Sequence, residues 1–300
     1  MIAPSFNALV AALAVASTVI ASPIPTKRAP VWADAKTATI HPGVNTNTAG
    51  SCTSNFIFYN GNNIYIGQAA HCAGTGSSTS TNGCTSGSLP EGTKVTITGA
   101  SKPGILAYSS WQRMQQRGEK DANTCAYNDL ALVLIDPADH NKVNPTVPTF
   151  GGPTGLRTTG LSSFEKVYSY GNSILRQGIT LLSPKYGVNI QDQGAGWSHN
   201  VATVTPGIPG DSGSGFMDKS GKAFGVLSTL QFAPLLASNG VGDLAKEIVY
   251  ARTFSDFAGV QLALGTAPFA VALPDPAAGL QSTLKNAPGA LTNDGSLLGL

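Results

Sequence analysis

Three hundred residues allow roughly two domains of about 150 residues, or one large all-β fold, and 42% hydrophobic content excludes wholesale disorder. Only 11% of the chain is charged, whereas Gly 35 and Pro 19 make up 18% of it, which favours many turns and short strands over long helices. Lys and Arg number 18 against 16 Asp and Glu, and Lys27 and Arg28 are the only charges in residues 1–28. The rest of the chain is therefore neutral, without an electrostatic footprint for nucleic acid or an anionic membrane surface.

The chain opens with an apolar stretch of 14 residues, 8–21, too short to span a bilayer and suited to a signal-peptide core. Val19 and Ala21 supply compact residues for cleavage after Ala21 or Ser22, so residues 1–21 read as a signal peptide. Pro23 to Arg28 follow, and Lys27-Arg28 has the form of a dibasic processing site. Residues 22–28 then form a short pro-peptide, and the mature chain begins at Ala29. No other apolar run reaches the length of a membrane span.

Short strands dominate from residue 55 onward. Phe56 to Tyr59 and Asn63 to Ile66 flank Asn60-Gly61, a hairpin signature. Lys94 to Thr98 alternates with period two, and Leu130 to Ile135 is a continuous apolar run suited to a strand buried on both faces. Lys166–Tyr170, Gly178–Leu182, Val201–Val204, Ala223–Leu227 and Glu247–Tyr250 continue the pattern as strands. Only Trp111–Lys120 and Thr253–Leu264 read as helices. A linker around 148–155 separates residues 29–150 from 151–265, and 266–300 read as a flexible tail. Two packed antiparallel barrels or one large sandwich fit this pattern.

Cys52, Cys72, Cys84 and Cys125 are an even number in an exported chain, so two disulfides are expected, with all three connectivities open. None of their spacings forms a C-x-x-C pair, and no metal site is expected. The densest chemical signal is Gly207-Ile208-Pro209-Gly210-Asp211-Ser212-Gly213-Ser214-Gly215. Flanking glycines leave a serine hydroxyl exposed and let backbone N–H groups converge on one point as an oxyanion hole. Upstream, His71 ends an apolar strand in Ala69-Ala70-His71-Cys72, and Asp129 directly precedes the apolar run in Asn128-Asp129-Leu130-Ala131-Leu132. A carboxylate placed there is exposed at the strand end or satisfied by a buried donor such as an imidazole N–H.

In the order His, Asp, Ser, these segments resemble the chymotrypsin-like (trypsin-fold) serine proteases, from about Cys52 to Leu264. The resemblance implies an all-β fold of two antiparallel six-stranded barrels with the active site between them and a short C-terminal helix. It implies that Ser212 is the nucleophile, His71 the general base and Asp129 its partner, with the backbone N–H groups of Gly210 and Ser212 as oxyanion hole. It also implies the pair Cys52–Cys72, which leaves Cys84–Cys125 as the second. Polypeptides are the implied substrates, the family default is a monomer, and no metal or organic cofactor is required.

Two features depart from the family. No Ile-Val-Gly-Gly start exists to supply the terminal ammonium that pairs with the Asp before the nucleophile. The N-terminus of Ala29, an internal cation (Arg157, Arg176 or Arg252) or backbone donors are expected to meet Asp211 instead. In the specificity region, Pro206 stands where trypsins carry an Asp, so Arg/Lys preference is not expected. Leu230 follows Ser228 by two residues, and with Ile248 it is expected to wall a shallow pocket for small or medium apolar side chains. His41, His140 and His199 read as surface or loop residues. The expectation is a secreted serine endopeptidase; the alternatives are a proteolytically silent homologue or a secreted binding or cell-wall protein.

Overall fold

The computed structural model describes residues 30–77, 81–231 and 238–286. The expected signal peptide and pro-peptide, including Ala29, lie outside the described residues.

Seven strands precede the linker: β1 (Asn45–Asn47), β2 (Ser51–Thr53), β3 (Ile57–Asn60), β4 (Asn63–Ala69), β5 (Lys94–Ile97), β6 (Gly104–Ser109) and β7 (Leu130–Leu134). Between β6 and β7 lie helices α1 (Ser110–Arg117) and α2 (Ala122–Tyr127). After the linker come β8 (Gly155–Leu156), β9 (Lys166–Tyr170), β10 (Pro184–Gln193), β11 (Ser198–Thr203), β12 (Gly215–Asp218), β13 (Lys222–Gln231) and β14 (Ser238–Asp243). Helix α3 (Leu244–Phe254), strand β15 (Gln261–Leu262) and helix α4 (Pro276–Asn286) complete the chain.

The first unit is a curled sheet in the order β15-β3-β4-β7-β6-β5-β1-β2. The β3–β4 hairpin turns at Asn60-Gly61, with Asn60 opposite Asn63, as the dipeptide predicts. Strand β7 pairs with β4 from Leu130↔Ala69 to Leu134↔Tyr65, buried on both faces apart from its last residue. The second unit closes: β12, β9, β10, β11, β14 and β13 run in order, and β13 returns to β12, making a six-stranded barrel to which β8 adds in parallel. One apolar core, including Phe56, Tyr108 and Leu132 of the first unit and Tyr168, Met217 and Val226 of the second, crosses the junction and locks the units together. At about 25 cal/mol per Å² of buried apolar surface, such a shared core makes independent movement of the units costly.

Several expectations need correction. Gly178–Leu182 is no strand; Thr180–Leu182 is a single 3₁₀ turn, with Leu181 exposed, because the segment has no neighbour to pair with. Glu247–Tyr250 lies inside helix α3, which begins where Asp243 accepts the Lys246 backbone N–H as an N-cap. The expected helix at Thr253–Leu264 is thus displaced toward the N-terminus, and Gln261–Leu262 pair with Leu262↔Phe58 as an edge strand. The stretch 266–286 of the expected tail is docked: Asp275 accepts from Lys166 and Tyr168, and Ala277 is fully buried. Residues 287–300 lie outside the described residues.

Candidate active site between the two β units

Asp129 is buried where β7 begins, and its carboxylate is surrounded by donors. Oδ1 accepts the His71 backbone N–H at 2.8 Å, and Oδ2 accepts His71 Nδ1–H at 2.7 Å. The Ser228 hydroxyl also donates to Oδ2, at 2.5 Å. The Ala70 backbone N–H donates to the Asp129 carbonyl at 2.7 Å, so the turn that carries His71 is pinned to β7 at two levels. This leaves Nε2 as the imidazole nitrogen available to the cleft. Burial pushes the His71 pKa down, but the adjacent Asp129 charge and hydrogen bond outweigh it, and the net direction is up.

Cys52–Cys72 and Cys84–Cys125 are both formed, the pairs that the resemblance implied. The first ties the residue after His71 to β2, and β2 in turn holds the serine loop of the opposite unit. The Thr53 backbone N–H donates to the Ser212 carbonyl at 2.9 Å, and its hydroxyl donates to the Gly210 carbonyl at 2.7 Å. Gly213 has φ +86°, and a Cβ there would stand 2.7 Å from the Thr53 carbonyl and 2.8 Å from the Ala69 nitrogen. Only glycine permits that approach of the two backbones. Gly210 also needs a positive φ, +95°. Among the described residues, the backbone N–H groups of Gly210 and Ser212 have no protein acceptor.

Asp211 points away from the cleft and is fully buried. Its Oδ2 meets Arg176 Nη2 at 2.5 Å and Lys185 Nζ at 2.9 Å, while Oδ1 accepts the Ser173 N–H. Burial alone raises the Asp211 pKa, but the two cations and the hydrogen bonds hold it below the ordinary carboxylate range. Burial pushes Lys185 down against the opposing pull of Asp211. Of the expected internal cations, Arg176 is the partner. Arg157 instead pairs with Glu165 and Asp218, and Arg252 donates to the Val260 carbonyl. Lys185 was not foreseen, although a lysine between Pro184 and Tyr186 in a strand with apolar neighbours was an available signal.

His71 and Ser212 line one cleft of about 970 Å³, together with Ala49, Trp111, Tyr127 and Gly210. Gly207, Ile208, Leu227, Ser228, Thr229 and Asn239 also line it. Asn239 is fully buried; its Oδ1 accepts the Gly207 N–H, and its Nδ2 donates to the Val201 carbonyl and the Thr203 hydroxyl. Among the described residues, no Asp, Glu, Lys or Arg lines the cleft.

The specificity residues expected from sequence fare unevenly. Ser228 lines the cleft but also supports Asp129. Pro206 is exposed outside the cleft, its carbonyl accepting from Lys185, and its neighbours Gly207 and Ile208 take the expected place. Ile248 does not wall the pocket: as part of α3 it is buried in the shared core. The side chain of Leu230 lies outside the described residues.

His199 also needs correction. It is buried inside the second barrel between Asp192 (2.7 Å from Nδ1) and Asp243 (3.1 Å from Nε2), and the two carboxylates raise its pKa against the effect of burial. His140 Nε2 faces the Ile135 carbonyl, and His41 Nδ1 faces that of Pro42. Cys52, His71 and Cys72 lie close enough to suggest a metal, but both sulfurs are consumed in the disulfide, so the donor set does not fit one.

No family model and no curated protein matches the sequence. Among solved structures, Thermobifida fusca Protease A is similar with a TM-score of 0.47 and 16% identity, covering 76% of this chain and 100% of that one. Nocardiopsis protease gives 0.42 and 16%, covering 74% and 98%. A glutamic acid specific serine protease gives 0.46 and 16%, covering 75% and 100%. By its own strand order, with His71 and Asp129 on one β unit, Ser212 on the other and the cleft between, the chain has the chymotrypsin-like double-barrel fold.

Proposed function

We propose that this protein is an exported serine endopeptidase acting on polypeptides through Ser212, His71 and Asp129. The observation that carries the reading is the 2.7 Å contact of His71 Nδ1 with a buried Asp129, in a cleft that Ser212 also lines. A serine hydroxyl is a weak nucleophile near neutral pH, and an imidazole with one nitrogen committed to a carboxylate can take its proton on the other.

Ser212 Oγ attacks the scissile carbonyl carbon as its proton passes to His71 Nε2, and the C=O electron pair moves onto oxygen. The N–H groups of Gly210 and Ser212 receive that oxyanion, each such donor being worth about 3–4 kcal/mol in the transition state. Collapse breaks the C–N bond, His71 returns the proton to the leaving amine, and an acyl ester remains on Ser212. Water then repeats the sequence and frees the acid. Asp129 holds the imidazole tautomer and stabilises the imidazolium.

A cleft lined by Leu227 and Asn239 and, among the described residues, by no Asp, Glu, Lys or Arg supports small or medium apolar side chains before the scissile bond rather than Arg or Lys. Export is supported by the N-terminal apolar stretch and the two disulfides. Among the described residues, no helix is long and apolar enough to cross a membrane. The test is a fluorophosphonate probe read by mass spectrometry. Wild type is expected to label at Ser212, with labelling lost in Ser212→Ala and His71→Ala. A folded but unlabelled wild type overturns the reading.

A further inference from the structure

A second carboxyl group meets the main chain of Asp129. Glu247, in the first turns of α3, is fully buried, and its Oε1 accepts the Asp129 backbone N–H at 2.9 Å. That contact joins residues 118 apart in sequence. Oε2 has no protein partner among the described residues, and neither does the Tyr108 hydroxyl of β6 or the side-chain amide of Asn128. The charged groups that face Glu247 are both acids: Asp129 ahead of β7 and Asp243 at the N-cap of α3. Tyr108 is the phenol exposed to its field. An ionised Glu247 would put a third negative charge beside two others in a fully buried place, a costly arrangement. Burial and the two neighbouring acids accordingly hold its carboxyl well above the ordinary range.

We propose that Glu247 is a positioning residue for Asp129: a neutral carboxylic acid whose oxygen fixes the Asp129 main chain, so that the carboxylate meets His71 and Ser228 squarely. This rests on the protease reading above. Held neutral, Glu247 accepts the Asp129 N–H without adding another negative charge beside the Asp129 carboxylate. Glutamine offers the same acceptor at the same reach, whereas leucine fills the space and leaves the buried N–H without its acceptor.

The experiment measures kcat and KM of the mature full chain on a peptide anilide, together with fluorophosphonate labelling of Ser212, for wild type, Glu247→Gln and Glu247→Leu. Glu247→Leu is expected to lose about 100-fold in kcat with KM within about twofold, as for a misplaced reacting group. Glu247→Gln is expected to stay within about threefold of wild type, with a kcat/KM profile that superimposes on it between about pH 5 and 9. Equal kcat in Glu247→Leu and wild type overturns the proposal, as does a Glu247→Gln variant as slow as Glu247→Leu. If Glu247→Leu does not fold, the glutamine variant decides: an ionisation in the wild-type profile that vanishes in Glu247→Gln means that Glu247 titrates, and overturns it. Absence of labelling in wild type defeats the protease reading itself, which separates the two failures.

Discussion

Lys185 and Asp211 form an ion pair 2.9 Å long in which neither side chain is exposed to solvent. Arg176 adds a second cation to the same carboxylate oxygen. The residue immediately before Ser212 is thereby anchored from within the second barrel. Among the described residues, these two cations are what neutralises the carboxylate next to Ser212.

Removing either cation leaves a buried carboxylate undercompensated. Lys185→Met is expected to cost about 3 kcal/mol of stability, toward the low end for a broken buried pair because Arg176 remains. It should also lower kcat/KM by about tenfold or more, as the Gly210 and Ser212 N–H groups lose alignment. Urea denaturation and steady-state kinetics check both. One extra alanine in front of Ala29 should leave kcat/KM unchanged; a large loss there would show that a free terminus is needed after all.

The acid limb of kcat/KM follows from the direction of the His71 shift. Asp129 raises the imidazole pKa, so the neutral base forms at higher pH, and the midpoint should lie above the ordinary value of about 6.5. In Asp129→Asn the midpoint should fall as overall activity drops by about 10⁴. A raised folded-state pKa contributes stability that is complete below the unfolded value and is lost as pH rises through the folded one. The stability gap between wild type and Asp129→Asn should therefore be larger at low pH than at high pH, as measured by thermal melts across the range.

Ser228 donates to the same Asp129 oxygen as His71. Ser228→Ala removes a hydrogen bond to a charged acceptor, worth about 1.5 kcal/mol, and should slow kcat about tenfold without abolishing probe labelling. An unchanged kcat would mean that the remaining contacts of Asp129, with His71, Ala70 and Glu247, hold it without Ser228.

Asn239 lines the cleft, with its amide fully used by Gly207, Val201 and Thr203. Asn239→Ala should deepen the pocket and move the preference before the scissile bond toward larger apolar side chains. It orphans the Gly207 N–H, at a cost of about 1–3 kcal/mol in stability. Profiling wild type and variant on one peptide library compares the two preferences directly.

Strand content and the residues that meet at the cleft were legible in the linear pattern. The apolar run at Leu130–Leu134, the Asn60-Gly61 turn and the glycines around Ser212 express local demands of backbone and hydration, which a short window of residues can display. The same locality explains the errors. Glu247–Tyr250 has strand-like composition, yet Asp243 caps a helix there, and the apolar side of that helix finds the shared core. Ile248 follows it into the core and away from the cleft. The tertiary structure alone decided where each buried polar group would find its partner: Asp211 with Lys185 and Arg176, His199 with Asp192 and Asp243, and the Asp129 backbone N–H with Glu247. A buried polar group is stable only with its partner, and in this fold those partners arrive from strands and helices distant in the chain, beyond what any local pattern records.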